Sequence, residues 1–244
     1  MLRYLWLEAK RQWRNREALL FRLGLPTAVY LILTAVEGST VGPSSLGVPS
    51  RTARMVALAG LGAVISALAT GPSLSEERGT GWLRQLRVTP LRPGAAVAAK
   101  VAVVMSFVLP SIGLVVGGAT VMEGIALGWG QWVGLIGGMW VAALPVAALG
   151  VLIALTVDPD ASQGATTLAF VVLWLLGGIF TSPTNMPDVL AAVAKALPSY
   201  GIVVVGDSVA AGTPIPASAV GLLLAWTVGV GSLAAFAWRR VVSR

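Results

Sequence analysis

The chain has 244 residues, of which 56% are hydrophobic and 11% charged, and its mean hydropathy is +0.84. A soluble domain carries about a quarter charged residues, and a water-soluble fold of this size could not bury so much apolar side chain, so the composition describes an integral membrane protein. The absence of His and Cys excludes the usual zinc sites, disulfides, thiol nucleophiles and imidazole bases, and the net charge of +7 lies in basic residues flanking apolar runs, which points to membrane topology and not to nucleic acid.

In chain order, residues 2–17 come first as a short helix outside the bilayer. Leu2, Leu5, Trp6, Ala9 and Trp13 recur at helical steps, while Arg3, Lys10, Arg14 and Glu17 fall on another face. Basic residues opposite Trp and Leu describe a helix lying among lipid headgroups, with Trp6, Lys10, Trp13 and Arg14 as its anchors. The plainer alternative is a frayed terminus whose charges serve topology alone.

A span needs about 20 mostly apolar residues. Six runs qualify: Ala18–Val36, Arg54–Leu74, Val101–Val121, Trp132–Thr156, Ala165–Phe180 and Ala217–Trp238. The first is too long for the apolar part of a signal peptide, and Thr34-Ala35-Val36-Glu37 is a poor cleavage site, so it reads as a retained span. Between the second and third, Ser75–Pro93 is rich in charge. Trp82, Leu83 and Leu86 form one apolar face of a short helix there, Arg84 and Arg87 lie beside it, and Pro90 stops it. Alone, so short a helix is unstable in water, which calls for a docking partner; a solvated loop is the bland alternative.

Gly113 and Gly117, and Gly130, Gly134 and Gly138, set up small faces for close helix contact, inside the subunit or in a dimer. Asp158 and Asp160 resemble an ion-holding pair, but Asp160 followed by Gln163 fits better as a helix cap starting the fifth span. Residues 182–216 are unusually apolar for a connection. Val189, Leu190, Val193 and Leu197 share a stripe on Asp188–Leu197, and Gly201–Ala211 is a second apolar piece interrupted at Gly206-Asp207. Each piece is about 15 Å long as a helix. That is too short to cross, so a re-entrant hairpin is expected, with a pair of surface helices as the alternative.

Topology follows from charge. Arg3, Lys10, Arg11, Arg14, Arg16, Arg22, Arg78, Arg84, Arg87, Arg92, Lys100, Arg239, Arg240 and Arg244 fall on one side of a six-span chain, against Arg51, Arg54 and Lys195 on the other. The bias places both termini in the cytoplasm. The expected fold is therefore a single all-α transmembrane domain over residues 1–244, with six transmembrane helices.

The chemistry that is missing narrows function further. The middles of the spans carry no ionisable side chain, which argues against proton- or ion-driven transport. There is no Gly-x-Ser-x-Gly elbow, no metal cluster and no paired acid within a span, so no catalytic or metal residue is assigned. None of Lys10, Lys100 or Lys195 follows a glycine, so the chain has no P-loop. Uphill transport would draw its energy from another polypeptide. A passive channel would need a polar helix face, and a membrane enzyme would have only Asp158 with Asp160 to work with.

The segment Glu76-Glu77-Arg78-Gly79-Thr80, then Leu83 and Leu86, then Val88-Thr89-Pro90-Leu91-Arg92-Pro93, resembles the most recognisable stretch of the ABC-2-type permeases, the membrane subunits of type V ABC exporters. That family's pattern opens on Glu-Arg-Glu, so the acids and Gly81-Trp82 depart from it. The segment Leu7–Arg16 before the first span, and Leu197-Pro198-Ser199-Tyr200 before the last, are similar too.

The resemblance implies two separate ABC ATPase subunits per complex, which would bind the ATP and Mg; this chain itself would hold no cofactor. It implies a second permease copy or a sibling permease, a plasma membrane location in a bacterium, and contact with membrane lipids. Residues 76–93 would contain the cytoplasmic coupling helix, with Glu76, Glu77, Arg78, Gly79, Thr80, Leu83, Leu86, Arg87, Thr89 and Pro90 docking the ATPase. Residues 183–211 would form an extracellular gate built on Val189, Leu190, Val193 and Leu197. An uncharged path suits apolar or amphipathic cargo, lined by Trp140, Trp174 and Trp226 where these do not simply pack. Drug or antibiotic efflux is the role expected from the family, with lipid or polysaccharide export as the alternative.

Overall fold

Proline decides where the apolar runs bend. A computed structural model describes residues 10, 14, 19–35, 48–79, 93–179, 183 and 186–243, and every regular element among them is helical. A π-helical turn, Leu20–Gly24, leads into α1 (Leu25–Ala35). Pro26 has no N–H to give the Arg22 carbonyl four residues back. The freed oxygen accepts instead from Ser111 Oγ at 3.1 Å. α2 (Ser50–Leu68) and α3 (Thr70–Gly79) form one apolar unit of 30 residues, interrupted at Ala69 because the ring of Pro72 would collide with the Leu68 carbonyl. α5 (Trp129–Ala142) and α6 (Leu144–Thr156) form a 28-residue unit broken at Ala143, where Pro145 does the same to Val141. α4 (Pro93–Glu123) lies between these two units in the chain and holds Pro110 within it. After α6 come α7 (Pro159–Leu176), α8 (Asp188–Ala196), α9 (Pro198–Ala211) and α10 (Ala217–Ser243).

α2 is the axis of the molecule. Every residue from Met55 to Leu68 is buried, as a helix apolar on all sides must be. Around it pack α4 most closely, then α1, α9 and α6; α10 lies along α6, and α5 along α9. Small residues permit the approach. Thr70 Oγ1 donates to Ala147 O at 3.0 Å, and a Cβ at Gly150 would stand 3.0 Å from Leu68 O and 3.1 Å from Gly71 N. The α2/α3 break therefore sits directly on the backbone of α6.

Among the described residues four helices are long and apolar enough to cross a membrane: Ser50–Gly79, Lys100–Glu123, Trp129–Thr156 and Ala217–Arg240; counting the bent pair α8–α9 makes five. The first expected span is represented by the shorter apolar helix Arg22–Ile32. The fifth, expected at 165–180, begins earlier and takes in Asp160, Ser162, Gln163, Thr166 and Thr167, polar residues that dilute its apolar character.

Several boundaries move. The second run does not end at Leu74 but continues as helix to Gly79, so Glu76, Glu77 and Arg78 belong to α3 and not to a loop. The third helix starts at Pro93, a residue suited to a first turn whose N–H groups have no helical partner. α7 is entered through Asp158 with Pro159 at its first position; Asp160 lies in the first turn, near the positive end of the helix dipole, and no side-chain cap bond forms. α9 runs unbroken through Gly206-Asp207. Of the glycine faces, Gly134 and Gly138 receive Val209 and Val205 of α9, whereas added Cβ atoms at Gly113, Gly117 and Gly130 would meet nothing within 4 Å.

Candidate functional site

Two polar clusters close the two ends of the α2–α3/α4 pair, and the first contains part of the expected docking segment. In the last turn of α3, Glu76 is exposed while Glu77 is 5% exposed and ion-paired to Lys100 Nζ of α4 at 2.5 Å. Lys100, 2% exposed, also donates to the carbonyl and hydroxyl of Ser73, each at 3.3 Å. Beside it, Arg78 Nη1 donates to Ala154 O at 2.9 Å and Nη2 to Val157 O at 2.6 Å. Those carbonyls end α6, where no further turn of helix can satisfy them, and a cation there meets the negative end of the helix dipole. Glu77 and Arg78 thus spend their charge inside the subunit, joining α3 to α4 and α6. Among the described residues of the segment, Glu76 and Gly79 are the exposed ones. Thr80, Leu83, Leu86, Arg87, Thr89 and Pro90 lie outside the described residues.

At the other end, Arg54 Nη2 of α2 meets Glu123 Oε1 of α4 at 3.3 Å, and the wholly buried Tyr30 of α1 lies within electrostatic reach of Glu123. The Tyr30 hydroxyl and Glu123 Oε2 have no hydrogen-bond partner among the described residues.

The expected gate divides by exposure. Val189, Leu190 and Val193 form an exposed face of α8, and Leu197, half-buried, packs on the core. At Leu197 the chain turns by 81° into α9, buried continuously from Gly201 to Ser208. The turn is pinned by Trp226 of α10, whose indole N–H donates to Ala196 O at 2.7 Å. Ser199 Oγ adds a bond to Leu173 O of α7 at 2.9 Å. Trp226 lies nine residues along α10 from Ala217, about 14 Å at 1.5 Å per residue. The bend is therefore set well down the bundle. Trp140 donates to Met105 O at 2.8 Å, and Trp174 stacks on Phe170 with centroids 6.1 Å apart. All three tryptophans thus have packing or hydrogen-bonding work within the subunit. Of the expected interfacial helix, Lys10 and Arg14 are helical and exposed; Trp6 and Trp13 lie outside the described residues.

Sequence reasoning missed Asp207, a buried carboxylate (4% exposed) in α9. Its signal was available: an acid among the apolar residues of 201–211 is expensive unless it is placed for a purpose. Asp158 and Asp160 are exposed, and no group of three or more acids, His or Cys that could hold a metal occurs among the described residues.

Comparison with known proteins places this bundle. The family model described as "ABC-2 type transporter" matches residues 2–205. A Bacillus subtilis (strain 168) protein named "Putative transport permease YvfS" is 29% identical over 195 residues, covering 79% of this chain and 78% of that protein. An all-helical chain with several membrane-compatible apolar helices, matched over most of its length by that family, belongs to the ABC-2 type transporter family and is a membrane transport permease.

Proposed function

We propose that the chain is the permease half of an ATP-driven exporter, working as two six-span subunits with two separate ABC ATPase subunits that bind the ATP and Mg. Family membership is the ground for the ATPase partners. The basic bias of the sequence supports cytoplasmic termini, and family membership supports a bacterial plasma membrane. The observation that carries the reading is the end of α3. Its last turn is fixed to α4 through Glu77–Lys100 and to α6 through Arg78, and it passes directly into the segment 80–92. A pull or push on that segment would be delivered to two helices of the bundle at once.

In this reading 80–93 holds the coupling helix, Leu83 and Leu86 seat in the ATPase, and Glu76 and Arg87 steer the approach. The bent pair α8–α9 is re-entrant from the outer face, with Val189, Leu190 and Val193 turned to the cargo side. The cargo is apolar or amphipathic, because the described spans offer it little charge, and drug or antibiotic efflux is the role proposed.

Affinity purification of the tagged chain from native membranes in mild detergent tests the reading. A stoichiometric ABC ATPase should accompany the wild type and be lost with Leu83→Asp while the variant still inserts. A chain that purifies alone, with no ATPase activity in any fraction, overturns it.

A further inference from the structure

α3 packs on α6 along its length, with Leu74 buried among Val151, Ala154 and Leu155 between two polar contacts. At its start, the Thr70 hydroxyl donates to Ala147 O and Gly71 lies against Gly150. At its end, Arg78 holds the carbonyls of Ala154 and Val157. The seven residues from Gly71 to Arg78 span about 10 Å of helix. To this apolar packing Arg78 adds a polar tie that stiffens the unit at the end of α3 nearest residues 80–92. What lies beyond α6 gives that rigidity a destination. α6 continues across Ala143 into α5, and α5 holds α9 through Val209 on Gly134, Val205 on Gly138, and Gln131 Nε2 on the carbonyls of Val209 and Ala210, each at 3.3 Å.

We propose that Arg78 is a positioning residue for transport, not a contact for the ATPase: it makes α6 follow α3, and so carries movement of the 80–92 segment to α5 and the bent pair α8–α9. Glu77–Lys100 does the equivalent for α4, but the described residues connect α4 to α9 mainly through the wholly buried α2. The α6 branch reaches α9 across the break at Ala143 and through α5. The inference rests on the exporter reading above.

The test is hydrogen–deuterium exchange by mass spectrometry on the purified permease–ATPase complex, nucleotide-free and trapped with ATP and vanadate. In the wild type, trapping should change exchange both in peptides covering 70–100 and in those covering 129–142 and 198–211. In Arg78→Gln the change at 70–100 should persist, and that at 129–142 and 198–211 should be lost. Arg78→Lys, which keeps one charged donor, should restore part of it. Static loosening alone would shift exchange equally in both nucleotide states and leave their difference intact. An Arg78→Gln complex with a wild-type difference at 198–211 overturns the proposal. Should that variant fail to assemble, Arg78→Lys decides, since a full wild-type difference there is equally fatal. A wild-type complex with no nucleotide-dependent change anywhere sinks the exporter reading itself.

Discussion

The two ends of the α2–α3/α4 pair carry the same kind of interaction and differ in how completely it is made. At the Lys100 end, a buried ammonium has a carboxylate, a carbonyl and a hydroxyl around it, and the neighbouring Arg78 spends two donors on the end of α6. At the Glu123 end, one guanidinium–carboxylate contact at 3.3 Å is accompanied by a carboxylate oxygen and a phenol without hydrogen-bond partners among the described residues. Buried polar groups stabilise when fully satisfied and are costly when not. Among the described residues, the first end is the more completely hydrogen-bonded of the two.

Substitutions at the two ends should separate accordingly. The largest effect is expected from Lys100→Met, which strands the Glu77 carboxylate in the bundle; removing one partner of a buried pair costs about 3–5 kcal/mol. Thermal unfolding in detergent should show a strongly destabilised chain, and Glu77→Leu combined with Lys100→Met should regain most of the loss. If the single substitution is neutral, the staple is not one. Glu123→Gln should cost less, about 1–3 kcal/mol, because the pair it breaks is only partly hydrogen-bonded; the same measurement checks the order, and equal losses at both ends would erase the comparison. Smallest of all should be Tyr30→Phe. Deleting a buried hydroxyl that has no partner is expected to be neutral or to stabilise by up to about 1 kcal/mol, whereas a clear loss would reveal a hydrogen bond there.

Much of this arrangement could be read from the residues. The apolar runs located α2, α4, the α5–α6 unit and α10, and the stripe on residues 188–197 located α8. The breaks at Ala69 and Ala143 fall two or three residues before Pro72 and Pro145, a signal that run length and hydropathy alone do not use, whereas Pro110 leaves α4 unbroken. The through-space pairings were not legible. Glu77 and Lys100 stand 23 positions apart and Arg78 and Ala154 stand 76 apart, so no local periodicity links them. Read locally, charges beside a short apolar run look like a docking face, and Glu77 and Arg78 were naturally assigned outward. Three-dimensional packing turned them inward. Trp226 is a similar case: its position in a span suggested a lining residue, yet its indole N–H serves a carbonyl 30 residues earlier.

That last bond has a consequence for how the protein is made. The Ala196 carbonyl sits at a sharp turn, where the helix that would satisfy it has ended. Its donor belongs to α10, which leaves the ribosome after α8 and α9. Until α10 enters the bilayer, the turn has no Trp226 to hold it, and Gly201 has no Leu223 to lie against. The bent pair is translated before α10 can support it, so the full set of bonds at the turn forms only after α10 is made, and a nascent chain released short of residue 226 would hold the turn through Ser199 and Leu173 without Trp226.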